Sequence, residues 1–263
     1  MSDSAAQTAR MPYLDRPRML AFGGVALGSL AAWVALAVLH GAHDGHDIDW
    51  LAELCRGIAL PFSAALPGAV AIWVLMSIAM MLPTAAPAID MYVRLTRRIE
   101  ARRGAHVAGF AGGYMVAWAG FAAVAGGAQA VFGGEIIDIT ATLPQAAVAG
   151  GLLVLAGMYQ VTPLKQACLT LCRNPMAFFM SHWREGVGGA LRMGAYHGLI
   201  CIGCCWALML LMFLFGAMNL AWMAALGLLM LLEKAAPGAA QAGRLSGIAM
   251  ALAGTTLILT DII

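Results

Sequence analysis

Six residues in one apolar segment carry side chains that can bind a soft metal ion. At about 100° of rotation per residue in an α-helix, all six fall within an arc of about 120° on one helix face. Thiolate, thioether and imidazole groups favour copper, zinc or iron over hard cations. The spacing therefore predicts a soft-metal site on a stripe made of Met193, His197, Cys201, Cys204, Cys205 and Met212.

The alternative is that these side chains fill a membrane core, because Cys and Met also pack as ordinary apolar residues. For a single Cys or Met, packing is the better explanation. A histidine and three cysteines close together on one helix favour the metal site. Met209, on the same segment, is a further candidate ligand.

A second group of candidate ligands, Met76, Met80 and Met81, lies on an earlier apolar segment. Met76 and Met80 are one helical turn apart and share a face. The two segments are expected to cross the membrane in opposite directions, with both groups at nearly the same depth. We therefore predict that a sulfur atom of Met80 or Met81 lies within about 6 Å of the cysteine sulfurs, close enough to share a metal.

A third group, Cys168 and Cys172, follows Pro163, which is expected to kink or end its helix. Two thiols at i and i+4 of a continuing helix point the same way. The adjacent Lys165 and Arg173 are expected to favour the thiolate form, which binds metals. This pattern predicts a delivery or receiving station at the cytoplasmic rim of the membrane, with two reduced structural thiols as the alternative.

The link after the first apolar segment combines three histidines with three aspartates: His40, His43, His46, Asp44, Asp47 and Asp49. Such a link can capture a metal ion at the outer face of the membrane. A well-solvated acidic link with no site fits the same composition.

The composition defines the elements that must position these residues. The chain has 263 residues, of which 62% are hydrophobic and 11% are charged, and its mean hydropathy is +0.84. This composition predicts an integral membrane protein, an all-α bundle forming a single transmembrane domain over residues 1–263. Apolar runs of about 20 residues predict seven spans, near residues 19–39, 66–91, 105–132, 143–163, 190–216, 219–232 and 245–263, of which the first is expected to be a retained anchor.

Lys and Arg concentrate in the links after spans two, four and six, which are therefore expected to face the cytoplasm. The N-terminus is then cytoplasmic, and the expected location is the bacterial inner membrane. Topology alone explains these charges, and the formal net charge is only +2, so no nucleic-acid partner is expected. The residues that set the orientation are Arg94, Arg97, Arg98, Arg102, Arg103, Lys165, Arg173, Arg184, Lys234 and Arg244.

Two glycine pairs, Gly24/Gly28 and Gly109/Gly113, have the four-residue spacing that lets membrane helices approach closely. We expect close helix contacts at both pairs.

Three strings carry the candidate ligands: Trp73-x2-Met76-x3-Met80-Met81-x-Pro83, Gly157-x-Tyr159-Gln160-x2-Pro163-x-Lys165-x2-Cys168-Leu169-x2-Cys172-Arg173, and Gly194-x2-His197-Gly198-x2-Cys201-x-Gly203-Cys204-Cys205-Trp206-x2-Met209. They resemble a bacterial family of multi-pass proteins of unknown function, described as predicted metal-binding integral membrane proteins. The resemblance also takes in Glu233-Lys234. It implies a membrane protein that handles a metal.

Copper(I) is the metal that the residues favour, with zinc as the second choice. Copper(I) needs only two or three soft ligands, and one or two thiolates with Met or His leave a net charge near zero. Such balance matters because an uncompensated charge in the bilayer costs several kcal/mol. Zinc usually takes four ligands, including harder ones. The 18 methionines of the chain also favour copper.

The predicted function is copper transport, or copper delivery to a membrane or periplasmic metalloprotein partner, with a homo-oligomer as another arrangement. This role is non-enzymatic. One alternative is a membrane thiol or quinone oxidoreductase, since Cys201 and Cys204 have the spacing of redox pairs. Another is an accessory scaffold subunit of a larger membrane complex, in which Cys and Met only pack.

Overall fold

The computed structural model describes residues 16–44, 62–98, 103–142, 145–215, 219–236 and 239–262. Within these ranges the chain is helical and contains no strand, which confirms the predicted all-α class. The α-helices are α1 (Arg16–Asp44), α2 (Phe62–Thr84), α3 (Ala86–Leu95), α4 (Arg103–Thr142), α5 (Gln145–Gln160), α6 (Pro163–Arg173), α7 (Pro175–His182), α8 (Gly186–Leu210), α9 (Met212–Phe215), α10 (Leu220–Ala235) and α11 (Ala239–Ile262).

Five helices of the described chain are long and apolar enough to cross a membrane, and α5 with α6 can form a sixth, bent crossing. The predicted count of seven is therefore not confirmed. The difference lies at α10, which coincides with the predicted span 219–232 but has only 16 residues. At about 1.5 Å per residue it is shorter than the hydrocarbon core. The five crossings are Pro17–Gly41, Ala65–Thr84, Arg103–Val131, Gly186–Leu210 and Gln241–Thr260.

Three of the predicted spans are divided in the structure. The run 190–216 breaks at Leu211, between α8 and α9. The run 66–91 breaks at Ala85, between α2 and α3. The run 143–163 ends at Gln160, and the chain bends by 60° before α6, which confirms the predicted break at Pro163. Proline is well suited to the first turn of α6 because its missing N–H has no helical partner there. Thr162 caps the same turn by accepting the Lys165 N–H.

Helix α4 packs against both α2 and α8. The α4–α8 contact is close because both helices present glycine. A Cβ atom on Gly113 would lie 2.0 Å from the Leu191 carbonyl oxygen, and one on Gly194 would lie 1.9 Å from the Phe110 oxygen. The helix backbones therefore touch, and this contact sets the position of α8.

The two predicted glycine pairs differ in outcome. Gly109 and Gly113 both face the backbone of α8, as expected. A Cβ atom at Gly24 would meet nothing within 4 Å, and one at Gly28 would meet only the Leu82 side chain. The close contact on α1 is therefore limited to Gly28, where a Cβ atom would lie 3.3 Å from the Leu82 side chain of α2, because the spacing permits an approach but does not require one.

We expect Gly113→Ala to destabilise the protein by about 3 kcal/mol, since the added methyl group forces α4 and α8 apart. The measurement is the thermal unfolding midpoint of the purified protein in detergent. Gly112→Ala is the matched control, because a Cβ atom at Gly112 meets nothing within 4 Å. The control should keep or raise the midpoint, since alanine favours helix. Equal midpoints for the two variants would contradict the close contact.

Candidate metal centre

Three thiols of α8 form a buried cluster. The sulfur atoms of Cys201, Cys204 and Cys205 lie within 4.8 Å of one another, and Cys204 Sγ is 3.4 Å from Cys205 Sγ. Each residue is only 1% exposed, and all three are free cysteines. Regular helical geometry produces this grouping because positions 201, 204 and 205 lie on one helix face. We call this group the thiol cluster.

Helix α6 brings a fourth thiol to the thiol cluster. Cys172 Sγ lies 4.0 Å from Cys204 Sγ. Cys168, one turn earlier and half-buried, lies against Gly203 of α8: a Cβ atom at Gly203 would be 2.9 Å from Cys168 Sγ. The station that the sequence predicts at the membrane rim is therefore adjacent to the cysteines of α8.

A buried lysine contacts the thiol cluster directly. Lys234 of α10 is 7% exposed, and its Nζ donates to Cys201 Sγ at 2.9 Å and to Thr84 Oγ1 at 3.0 Å. The sequence assigned Lys234 to a cytoplasmic link by its charge. In the structure its ammonium group points into the bundle, where thiol sulfur is the partner that can carry negative charge, and the side of the membrane on which it lies stays a prediction.

A buried ion pair lies beside Lys234. Lys165 Nζ is 2.7 Å from Glu233 Oε2, with both side chains at most 1% exposed. Gln160 Nε2 donates to Glu233 Oε1 at 2.9 Å. The expectation that Lys165 favours thiolates at Cys168 and Cys172 is therefore wrong, since its charge is directed to Glu233.

Tyr114 of α4 bridges α8 and α2. Its hydroxyl is 3.0 Å from Cys201 Sγ and donates to the Met81 carbonyl oxygen at 3.0 Å. The region around Met81 therefore connects to the thiol cluster through an intervening helix. The Met80 side chain lies against Gly227 of α10, its Cγ 3.5 Å from a Cβ placed there. Met76, Met80 and Met81 are all buried, and their role as ligands stays a prediction.

His197 lies one turn before Cys201 and is buried among aromatic rings. Its ring centroid is 4.9 Å from that of Phe178 and 6.0 Å from that of Tyr114. Among the described residues, His197 Nδ1 is buried and has no hydrogen-bond partner. A buried imidazole nitrogen without a partner is costly. It is compatible with a metal ligand, but the ring is not a member of the three-thiol group.

The methionines of the stripe are spread along α8 and α9. Met193, two turns before Cys201, accepts the Arg184 N–H at its sulfur, at 3.3 Å. Met209 and Met212 are fully buried, on either side of the break between α8 and α9. The stripe therefore extends well beyond the thiol cluster, and a single ion there cannot use all of its members.

The predicted outer capture cluster falls at the edge of the described chain. His40 and His43 belong to the last part of α1, and His46 lies outside the described residues. The capture function of these histidines stays a prediction.

Sequence reasoning missed two contacts of the thiol cluster, those of Tyr114 and Lys234. A signal for Lys234 was present, because Glu233 and Lys234 follow an apolar run without interruption. Ionisable residues in membrane segments usually face the bundle interior and pair there. Tyr114 carries no comparable signal, since a tyrosine in an apolar helix is ordinary.

Comparison with known proteins supports a copper-handling role for the chain. No curated protein and no solved structure matches the chain. The PpoB2 family, described as a copper chaperone, matches residues 70–257. This range covers more than two thirds of the chain and includes the thiol cluster, Cys168, Cys172 and Lys234, which agrees with the metal-handling role implied by the sequence motifs. The chain therefore belongs to the PpoB2 copper chaperone family.

Proposed function

We propose that this protein holds copper(I) on the thiol cluster inside the membrane and delivers it to a metalloprotein partner. The observation that carries the proposal is the convergence of three buried thiols of α8 with the ammonium group of Lys234. Thiolates bind copper(I) strongly, and the family to which the chain belongs is described as a copper chaperone. The proposed location is the bacterial inner membrane, with the partner in the same membrane or at its outer face.

Charge balance supports copper over zinc. Copper(I) with two thiolates carries one negative charge, which the ammonium group of Lys234 offsets. Four thiolates around zinc carry two negative charges, of which Lys234 offsets one, although Cys172 would supply the fourth thiol. The remaining charge would be costly in a buried site. The surroundings of the thiol cluster therefore suit a monovalent ion bound by two thiolates.

The test is elemental analysis of the purified protein from cells grown with ample copper, combined with X-ray absorption at the copper edge. We expect copper(I) with sulfur ligands, and loss of that copper to an apo-metalloprotein acceptor on mixing. Zinc in place of copper would contradict the choice of metal. A Cys201–Cys204 disulfide that cycles with quinone would favour the oxidoreductase. A metal-free protein with reduced thiols would favour the scaffold.

A further inference from the structure

We infer that Cys168 and Cys172 form an exchange path through which copper(I) reaches and leaves the thiol cluster. The inference rests on the proposed function, because it assigns a route to the copper held there. It gives α6 a role in the rate of copper transfer, whereas the thiol cluster of α8 determines how much copper is held.

Helix α6 directs one face at the thiol cluster. Lys165, Cys168 and Cys172 stand at i, i+3 and i+7, so they lie on the same side of the helix. The ion pair of Lys165 with Glu233 of α10 fixes the first turn. Thr170, on the opposite side, is exposed. The orientation of α6 therefore follows from a buried ion pair, and both cysteines face α8.

The thiols form a series of increasing burial. Cys168 is half-buried, whereas Cys172 and the three cysteines of the thiol cluster are buried. Cys172 Sγ lies 4.0 Å from Cys204 Sγ, and Cys204 Sγ lies 3.4 Å from Cys205 Sγ. A metal–thiolate bond is about 2.3 Å long, so one ion between Cys172 and Cys204 can contact both sulfurs. Copper can thus move inward without losing all of its ligands.

Gly203 makes room for the outer thiol of this series. A side chain at Gly203 would place its Cβ 2.9 Å from Cys168 Sγ, which is shorter than real contacts allow. The absence of a side chain lets the Cys168 sulfur rest directly on α8, next to Cys204 in the sequence. The entry thiol therefore lies against the backbone of the helix that carries the three thiols of the cluster.

Each transfer is an exchange of ligands with no change in oxidation state. A copper(I) ion arrives bound to a donor thiolate. The Cys168 thiol gives its proton to the donor sulfur, a Cys168 sulfur–copper bond forms, and the donor sulfur–copper bond breaks. The same exchange moves the ion to Cys172 and then to Cys204, each thiol passing its proton to the sulfur that releases the metal. Copper stays monovalent throughout, and no electron is transferred.

The test compares copper content with copper release. Copper-loaded wild-type protein and Cys168→Ser are purified in detergent and mixed with bathocuproine disulfonate, a water-soluble copper(I) chelator whose complex is coloured. We expect equal copper per protein before mixing. Release from Cys168→Ser should be slower by about tenfold or more, since a pre-positioned exchange partner is lost. Thr170→Ser, on the exposed side of α6, is the control and should release copper as the wild type does.

A second measurement needs no variant. Brief treatment of the copper-free wild type with a maleimide should label Cys168 before the other described cysteines, as read by mass spectrometry, and the labelled protein should take up copper slowly. Release from Cys168→Ser at the wild-type rate would overturn the exchange path. Loss of bound copper in Cys168→Ser would also overturn the exchange path, because it would show that Cys168 is a permanent ligand of the bound copper. A wild type without copper would overturn the proposed function and this inference together.

Discussion

Replacing Cys204 and Cys205 together with serine should empty the metal centre while leaving the protein inserted and folded. Serine is close to cysteine in size but binds soft metals poorly. Removing a residue that only contacts a metal ligand lowers metal affinity by up to about a hundredfold. Loss of two direct ligands should therefore weaken copper binding by more than that. The measurement is copper per protein, by elemental analysis of membranes from cells grown with limiting and with ample copper.

Two comparisons separate this effect from a general response to mutation. Cys55 lies between the first two predicted spans, in the predicted outer link. Cys55→Ser makes the same chemical change there and should retain full copper. Replacement of His40, His43 and His46 should slow copper uptake only when external copper is scarce, because capture raises the local concentration without holding the ion in the bundle. If the Cys204/Cys205 variant keeps its copper under both conditions, the thiol cluster is core packing, and the scaffold function gains support.

The thiol cluster could be predicted from the sequence because its members share one helix. Positions 201, 204 and 205 meet on one face in any regular helix, and the apolar run around them makes a helix the expected element. The spacing of Gly109 and Gly113 also predicted a close helix contact, but it did not identify α8 as the partner. Local geometry therefore determines which groups share a helix face and does not determine which helices meet.

The surroundings of the thiol cluster depend on contacts between distant segments and could not be predicted in this way. Cys172 reaches Cys204 only because the chain bends by 60° before α6 and because Lys165 pairs with Glu233. Hydropathy treats both Lys165 and Lys234 as charges that belong in water, so it placed them in links. Their burial requires partners that lie far away in the sequence, and one of those partners is itself a candidate metal ligand.

The two buried lysines differ in what they neutralise, and this difference predicts different consequences of removing them. Lys165 has a carboxylate partner, Glu233, so its charge stabilises the packing of α6 against α10. Lys234 has Cys201 Sγ and Thr84 Oγ1 as partners, so its charge serves the thiol cluster. A buried charge lowers the stability of the fold. At Lys234 this cost is explained if the ammonium group balances the negative charge of a metal–thiolate group.

We therefore expect Lys234→Met to fold well but to bind copper(I) at least about tenfold more weakly. An opposite charge near 4 Å stabilises the metal–thiolate group by up to about 4 kcal/mol at an effective dielectric constant of 20. Methionine keeps the length and volume of the side chain, and apolar replacement of a buried charge is often neutral or stabilising when its partner can become neutral. The Cys201 thiol can do so by keeping its proton. The measurements are the copper affinity by competition with a chelator, and the unfolding midpoint in detergent.

Lys165→Met is the matched control, because it removes a lysine that is also buried but is paired with Glu233. That variant should lose about 3–5 kcal/mol of stability, since a carboxylate is left without its partner, while its folded fraction keeps the copper affinity of the wild type. Lys234→Arg retains the positive charge and should keep part of the copper affinity that Lys234→Met loses. X-ray absorption should show the same sulfur ligands in Lys234→Arg and Lys234→Met. Unchanged copper affinity in Lys234→Met would mean that the ammonium group does not compensate the metal–thiolate charge, and Lys234 would then be a structural residue that joins α10 to α2 and α8.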